Sequence, residues 1–346
     1  MLGPVAWRTP PVHYGPWELV TSLLTEGLVA RGVDVTLFAT LDSITSARLD
    51  GVCPRGYQDA PGHPGEPPMD GRVWEALHVA HALDRSSEFD LVHNHLDWLP
   101  LAFSALVGAP LVTTVHGFSG PAILPAYVRA RSAFVSISDA DRSPDLDYAA
   151  TVYHGVDLDG LPLGTAPGAH LVSFGRIHPD KGTATAIAIA RAAGRRLVIG
   201  GIVQDERYFD EQVRPHLGDG DVTFLGAVDA RDRARVLGDA AVLLHPIAFA
   251  EPFGLSVVEA MACGTPVVAY PRGSMPEIVD EGVTGYLADD VASAAAAVER
   301  AAALDRTAVH ERARARFGVD RMVTGYLSVY ESVLAGRHRY SPGGTA

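Results

Sequence analysis

The stretch Glu251-Pro252-Phe253-Gly254-Leu255-Ser256-Val257-Val258-Glu259, continuing into Ala260-Met261-Ala262-Cys263-Gly264-Thr265-Pro266-Val267-Val268-Ala269, decides the reading of the whole chain. It reads as a loop, a short helix and a buried strand. Pro252 disfavours helix at Glu251, and Gly254 lets backbone approach a ligand closely. From Leu255 to Ala262 only Ser256 and Glu259 are polar, so the helix is mostly buried. Gly264 stops it, and Thr265-Pro266 leads into an apolar strand. A carboxylate in such a helix is costly without a partner, and a ligand's hydroxyl pair is one candidate partner for Glu259. The N–H groups at the helix start form an anion site. The segment therefore offers a carboxylate, an anion cradle and, roughly 12 Å along the axis, a second carboxylate. A sugar, a diphosphate and a ribose fit that order. Alone, two glutamates eight apart mean little; the ordinary outcome is a solvated Glu251 and a locally paired Glu259.

A second segment changes that balance. The strand Leu171-Val172-Ser173-Phe174 ends in Gly175-Arg176-Ile177-His178-Pro179-Asp180-Lys181-Gly182, followed by a helix. An arginine and a lysine five apart at a strand-to-helix turn suit a diphosphate, Arg as a fork of donors and Lys as a point charge. The Gly-Lys-Ser/Thr order of a Walker loop is absent. Three histidines stand at strand ends: His93 and His95 in Leu-Val-His-Asn-His-Leu-Asp, and His116 in Thr-Val-His-Gly-Phe. Carboxyl ends of parallel strands are where such sheets bind ligands. His93 and His95 either line an acceptor pocket or bind a metal. Pocket lining is favoured because no third ligand is apparent by spacing.

Together these segments resemble the retaining glycosyltransferases of family 4, whose Glu-x7-Glu motif matches Glu251 to Glu259 and whose Gly-Arg-x(n)-Lys-Gly motif matches Gly175, Arg176, Lys181 and Gly182. The resemblance covers most of the chain and is weakest before Arg31 and across residues 42–72. It implies an α/β chain of the GT-B fold, two Rossmann-like doubly wound parallel-sheet domains facing a central cleft. It implies that Arg176 and Lys181 hold the donor's phosphates and stabilise the leaving group, that Glu251 meets sugar hydroxyls, and that Glu259 meets the ribose. It gives Phe253, Gly254 and Leu255 backbone N–H contacts to phosphate or sugar, and puts the nucleotide base beside Gly226 and Val228. It puts His116 against the donor sugar near the reacting carbon. Two departures stand out. The family's Gly-Gly before the first helix reads Gly15-Pro16 here, so Gly15 keeps its role in a stiffer loop that lacks one N–H. The family's Pro-Asn-Gly-Val-Asp reads Tyr153-His154-Gly155-Val156-Asp157.

Alternation of strands and helices throughout argues for parallel sheets covered on both faces. At 346 residues the chain suits two domains. Residues 1–155 form the acceptor-side domain, 156–169 the linker, 170–316 the donor domain, and the helix 317–336 rejoins the first domain. The start is short for a first strand, 42–72 reads as a long loop, and 341–346 as a frayed tail. Net charge of −13 argues against general nucleic-acid binding. Two cysteines give no disulfide framework or zinc site. No apolar run reaches membrane-spanning length, so a cytoplasmic location is expected. Asp145-Leu-Asp147, Asp157-Leu-Asp159 and Asp219-Gly-Asp221 resemble the metal motif of the other glycosyltransferase fold. None ends an apolar strand, and in so acidic a chain such triplets arise by chance.

The expected activity is metal-independent, cofactor-free transfer of a hexosyl group, with retention, from a nucleotide-diphosphate sugar to a hydroxyl of a small sugar or natural product. A UDP-sugar is favoured over GDP-mannose. A homodimer is compatible with these features. The alternatives are a GT-B sugar phosphorylase or nucleotide-sugar epimerase, and a non-catalytic nucleotide-sugar binding protein. Free phosphate as co-substrate, donor conversion without acceptor, or tight binding without turnover would reveal them. A nicotinamide dehydrogenase is disfavoured, since no Gly-x-Gly-x-x-Gly follows a strand.

Overall fold

The computed structural model describes residues 1–59, 68–117, 120–164, 168–218 and 220–337. The tail at 341–346, Asp219, and parts of the 42–72 loop and the 156–169 linker lie outside the described residues. The chain divides into two compact units, Met1–Gly155 with Val319–Ala346, and Val156–Gly318.

In the first unit the strands are β1 (Thr36–Phe38), β2 (Arg48–Asp50), β3 (Val92–Asn94), β4 (Leu111–Val115), β5 (Ala133–Ser136) and β6 (Tyr148–Thr151). Leu2 bridges in parallel to Phe38 on one side and Asn94 on the other. Residues 1–3 therefore supply the central strand, short as they are: the Leu2 N–H donates to the His93 carbonyl at 2.8 Å and the Gly3 N–H to Phe38 at 2.9 Å. The sheet order is β2, β1, residues 1–3, β3, β4, β5, β6, all parallel. Leu2 and Leu37 are fully buried and every residue of β4 and β5 is buried, as expected of strands covered on both faces. β2 and β6 are elements the sequence reading missed. β2 begins within the Pro- and Gly-rich loop, and β6 is a half-buried edge with no apolar run.

The second unit repeats the pattern with β7 (Leu171–Phe174), β8 (Leu197–Gly200), β9 (Val222–Phe224), β10 (Val242–His245), β11 (Val267–Ala269) and β12 (Gly285–Leu287). Their order is β12-β11-β10-β7-β8-β9, with every pairing parallel. In chain order this is 3-2-1-4-5-6 read from β9. The sequence order reverses between β7 and β10, and open α/β sheets bind ligands at the strands' carboxyl ends at such a switch point.

The last helix, Val319–Leu334, buries Met322, Val323, Tyr326, Val329 and Val333 along one stripe within the first unit. Small residues permit its close approach. A Cβ on Gly27, in the helix Pro16–Ala30, would stand 2.5 Å from Val323 Cγ2. A Cβ on Gly325 would stand 3.0 Å from Val152 Cγ1. Among the described residues no helix is long and apolar enough to cross a membrane.

Candidate active site

In the second unit the site gathers at the switch point. β7 ends at Phe174 and passes through Gly175 to Arg176. The turn Pro179–Lys181 follows, and Gly182 then starts the helix Thr183–Ala192. Gly182 has φ 68°, and a Cβ there would stand 2.0 Å from the Pro246 carbonyl oxygen. That close approach brings Lys181 to the loop after β10. The left-handed conformation costs an L-residue about 1–2 kcal/mol, and backbone must also yield. Gly182→Ala is therefore expected to lower the melting temperature, at about 2–4 °C per kcal/mol for a domain of this size, measured by calorimetry.

The ammonium of Lys181 lies 2.6 Å from Glu251 Oε2 and over the Phe249 ring at 4.5 Å. His245, the last residue of β10, puts Nε2 3.4 Å from the same oxygen, a long contact outside hydrogen-bond geometry. Glu251 is 8% exposed. Burial raises its pKa, but His245 and the Lys181 ammonium outweigh that and lower it to about 2. The carboxylate is thus ionised and paired. The Glu251 carbonyl accepts from the Ser274 N–H at 2.8 Å, which fixes the loop. Arg176 spans two acceptors, Gln204 Oε1 at 2.6 Å and Asp180 Oδ2 at 2.8 Å. A phosphate would share this guanidinium with Asp180.

Gly254 caps the helix Leu255–Ala262 with φ 90°, so its conformation is itself a reason for glycine. Phe253 is buried, its carbonyl takes the Ser274 hydroxyl at 2.9 Å, and its ring meets Phe317 edge-on. Leu255 is half-buried at the helix start, where the first N–H groups have no partner within the helix. Glu259 is buried and its Oε1 accepts from Arg233 at 2.8 Å. Burial raises its pKa, and Arg233 offsets this only in part. The carboxylate that the sequence left for a ligand thus has a protein partner on one oxygen. Gly226, just past β9, accepts from the Gly201 N–H at 2.8 Å, and Val228 is half-buried two residues on. Arg233 and His245 were not singled out in the sequence. His245 carried the same strand-end signal as His116, whereas nothing marked Arg233 within a helix of mixed charges.

In the first unit, Gly15 precedes the helix Pro16–Ala30 with φ 147°. Trp17 stacks on His116, centroids 5.3 Å apart. Glu18 is 2% exposed and its Oε1 accepts from the Trp7 N–H at 3.1 Å. Burial raises its pKa to about 7 against that bond. His93 and His95 are 2% and 0% exposed and His116 is 9% exposed. His95 Nδ1 lies 2.9 Å from His116 Nε2, and His154 Nε2 lies 3.3 Å from His116 Nδ1. Both ring nitrogens of His116 are thus engaged by protein. Among the described residues no three His, Cys, Asp or Glu side chains group as a metal shell.

Two family descriptions match the chain, "Glycosyltransferase Family 4" over residues 18–159 and "Glycosyl transferases group 1" over residues 168–316. The D-inositol 3-phosphate glycosyltransferase of Saccharomonospora viridis is 30% identical, over 89% of this chain and 87% of that protein. The glycogen synthase of Mycobacterium tuberculosis is 28% identical, over 98% and 96%. AviGT4, a glycosyltransferase involved in avilamycin A biosynthesis, superposes with a TM-score of 0.75 at 25% identity, covering 97% of each chain. Anabaena Alr3699/HepE, solved in complex with UDP and glucose, has the same fold, with a TM-score of 0.72 at 20% identity over 96% and 98%. By matched sequence and by architecture, the chain belongs to the family 4 glycosyltransferases of the GT-B fold.

Proposed function

We propose that this glycosyltransferase moves a hexosyl group, with retention and without a metal ion, from a nucleotide-diphosphate sugar to a hydroxyl of a small sugar or natural product. The observation that carries the reading is the pair of half-buried Lys181 and buried Glu251 at the switch point, flanked by Arg176 and by the start of the helix Leu255–Ala262. Two fixed cations and a helix N-terminus converge where negative charge develops on a departing diphosphate, and preorganised charge of this kind is usually a large catalytic contribution. Glu251, ionised and held, meets sugar hydroxyls as an acceptor. Glu259 keeps one oxygen for the ribose while Arg233 holds the other. His116 meets the donor sugar near the reacting carbon. The departing phosphate helps accept the acceptor's proton, in a front-face displacement. UDP is favoured as the carrier by likeness to Anabaena Alr3699/HepE, solved in complex with UDP-glucose.

A thermal-shift titration tests the donor site. UDP or a UDP-sugar at 100 times its dissociation constant, in EDTA, should stabilise the protein by about 2.7 kcal/mol, and this shift should vanish in Lys181→Ala. No shift with UDP, GDP or ADP compounds would remove the donor reading. Retention is checked separately: NMR of the first product should show the donor's anomeric configuration, and the inverted anomer would refute it.

A further inference from the structure

The sequence departs from its family before the first helix and before residue 155, and both departures converge on His116. Pro16 opens the helix and sets Trp17 over the His116 ring with the planes 21° apart. His154 reaches the ring's Nδ1. Behind His116 the contacts continue. His95 Nε2 lies 3.3 Å from His93 Nδ1, which also lies 2.7 Å from the Tyr330 hydroxyl. His93 Nε2 lies 2.8 Å from Thr114 Oγ1, itself 2.7 Å from the Tyr326 hydroxyl. All of these residues lie within the first unit.

We propose that His154, His116, His95 and His93 form one tautomer-coupled chain, every ring protonated on Nε2, with His154 the positioning residue that fixes His116 from its outer end. A neutral imidazole has one donor and one acceptor nitrogen. Each contact in the chain joins Nδ1 of one ring to Nε2 of the next. If His95 is protonated on Nδ1 it donates to His116 Nε2, and the proton of His116 must then sit on Nδ1. If His95 is protonated on Nε2, His116 must donate from Nε2. Either way the two rings share a tautomer, and the same logic runs from His116 to His154 and from His95 to His93. A mismatch anywhere would set two lone pairs or two N–H groups face to face in a buried site.

The inner end selects the state. In this chain the Tyr330 hydroxyl, 2.7 Å from His93 Nδ1, is the donor of that contact. The proton of His93 is then on Nε2, aimed at Thr114. From there the rule assigns His95, His116 and His154 in turn. Burial keeps all four rings neutral, lowering each pKa. The consequence for His116 is a ring clamped on one face and at both nitrogens, with Nδ1 accepting and Nε2 donating.

Long-range 15N–1H NMR of the full chain labelled at histidine reads which nitrogen of each ring carries the proton. All four should carry it on Nε2, and any one of them protonated on Nδ1 overturns the proposal. In Tyr330→Phe, which keeps the ring but removes the selecting donor, His93, His95 and His116 should all shift toward mixed tautomers while tryptophan fluorescence stays native. A change confined to His93 would overturn the coupling. In His154→Phe the inner selection remains, so the three other rings should keep their Nε2 protons and only the His116 Nδ1 resonance should move; should Tyr330→Phe fail to fold, the unaltered protein alone already decides the common tautomer. The catalytic consequence rests on the sugar-side role proposed for His116, but the tautomer measurement does not. Failure of the donor titration leaves it standing.

Discussion

Lys181→Ala is expected to lower turnover by about 10²–10³-fold, the cost of deleting one preorganised charge donor, and to lower stability as well. The second effect follows from the geometry. Glu251 is 8% exposed, and Lys181 holds its Oε2 at 2.6 Å. Removing the lysine leaves a buried carboxylate with only the long contact to His245. Breaking one side of a buried pair costs about 3–5 kcal/mol, mainly because the remaining charge is uncompensated. The double variant Lys181→Ala/Glu251→Gln separates the two roles. It removes the stranded charge, so its denaturation midpoint should return toward that of the parent, while turnover stays low. Restored turnover in the double variant, or near-normal turnover in Lys181→Ala, would show that the pair is structural only.

Acid is expected to unfold the first unit from about pH 6.5 downward. His93, His95 and His116 have pKa values well below the free value, chiefly through burial, His78 is lowered to about 4 and His154 to about 3. A base whose folded pKa is depressed binds its proton only in the unfolded chain, so stability is present above the unfolded value near 6.5 and falls below it. Each uncompensated proton contributes about 1.4 kcal/mol per pH unit. Glu18 acts in the opposite sense. Its folded pKa is raised to about 7, so its contribution is full below the unfolded carboxyl value and is lost as pH rises through 7. Asp59 and Asp97 are raised as well, but these carboxyls do not balance five histidines joined by the buried Met1 amine, lowered to about 5. Glu251, lowered to about 2, adds a further loss in the second unit only as pH falls from about 4.5 toward 2. A two-unit chain need not unfold in one step, but all four tryptophans, Trp7, Trp17, Trp74 and Trp98, lie in the first unit. Urea midpoints followed by tryptophan fluorescence from pH 7.5 to 5 therefore isolate it. A midpoint that does not move over that range would contradict the buried neutral chain.

Much of the donor-side geometry was legible because it is local. Glu251, Gly254 and Glu259 are fixed by one loop–helix segment, and Arg176, Lys181 and Gly182 by one strand–turn–helix segment, so residue order alone gives their order in space. The strands β7, β8, β10 and β11 were legible for a related reason: strands buried on both faces read as short apolar runs. β2, β6 and β12 were not, since a few half-exposed residues at or near an edge leave no period to read.

Residue order alone carries the repeating strand–helix alternation, the family, and the two charged segments at the switch point of the second sheet. How those charges pair comes from packing between elements. That Lys181 closes on Glu251 across 70 residues, and that Arg233 takes one oxygen of Glu259 across 26, depends on side chains brought together from different strands and helices. The same holds for the four histidines. His93 and His95 are close in sequence, but His116 joins them through the register of β3 against β4, and His154 arrives after β6. Spacing along a chain encodes periodicity within an element, whereas packing between elements sets which buried polar groups must satisfy one another. That is why the residues were readable one by one and their partnerships were not.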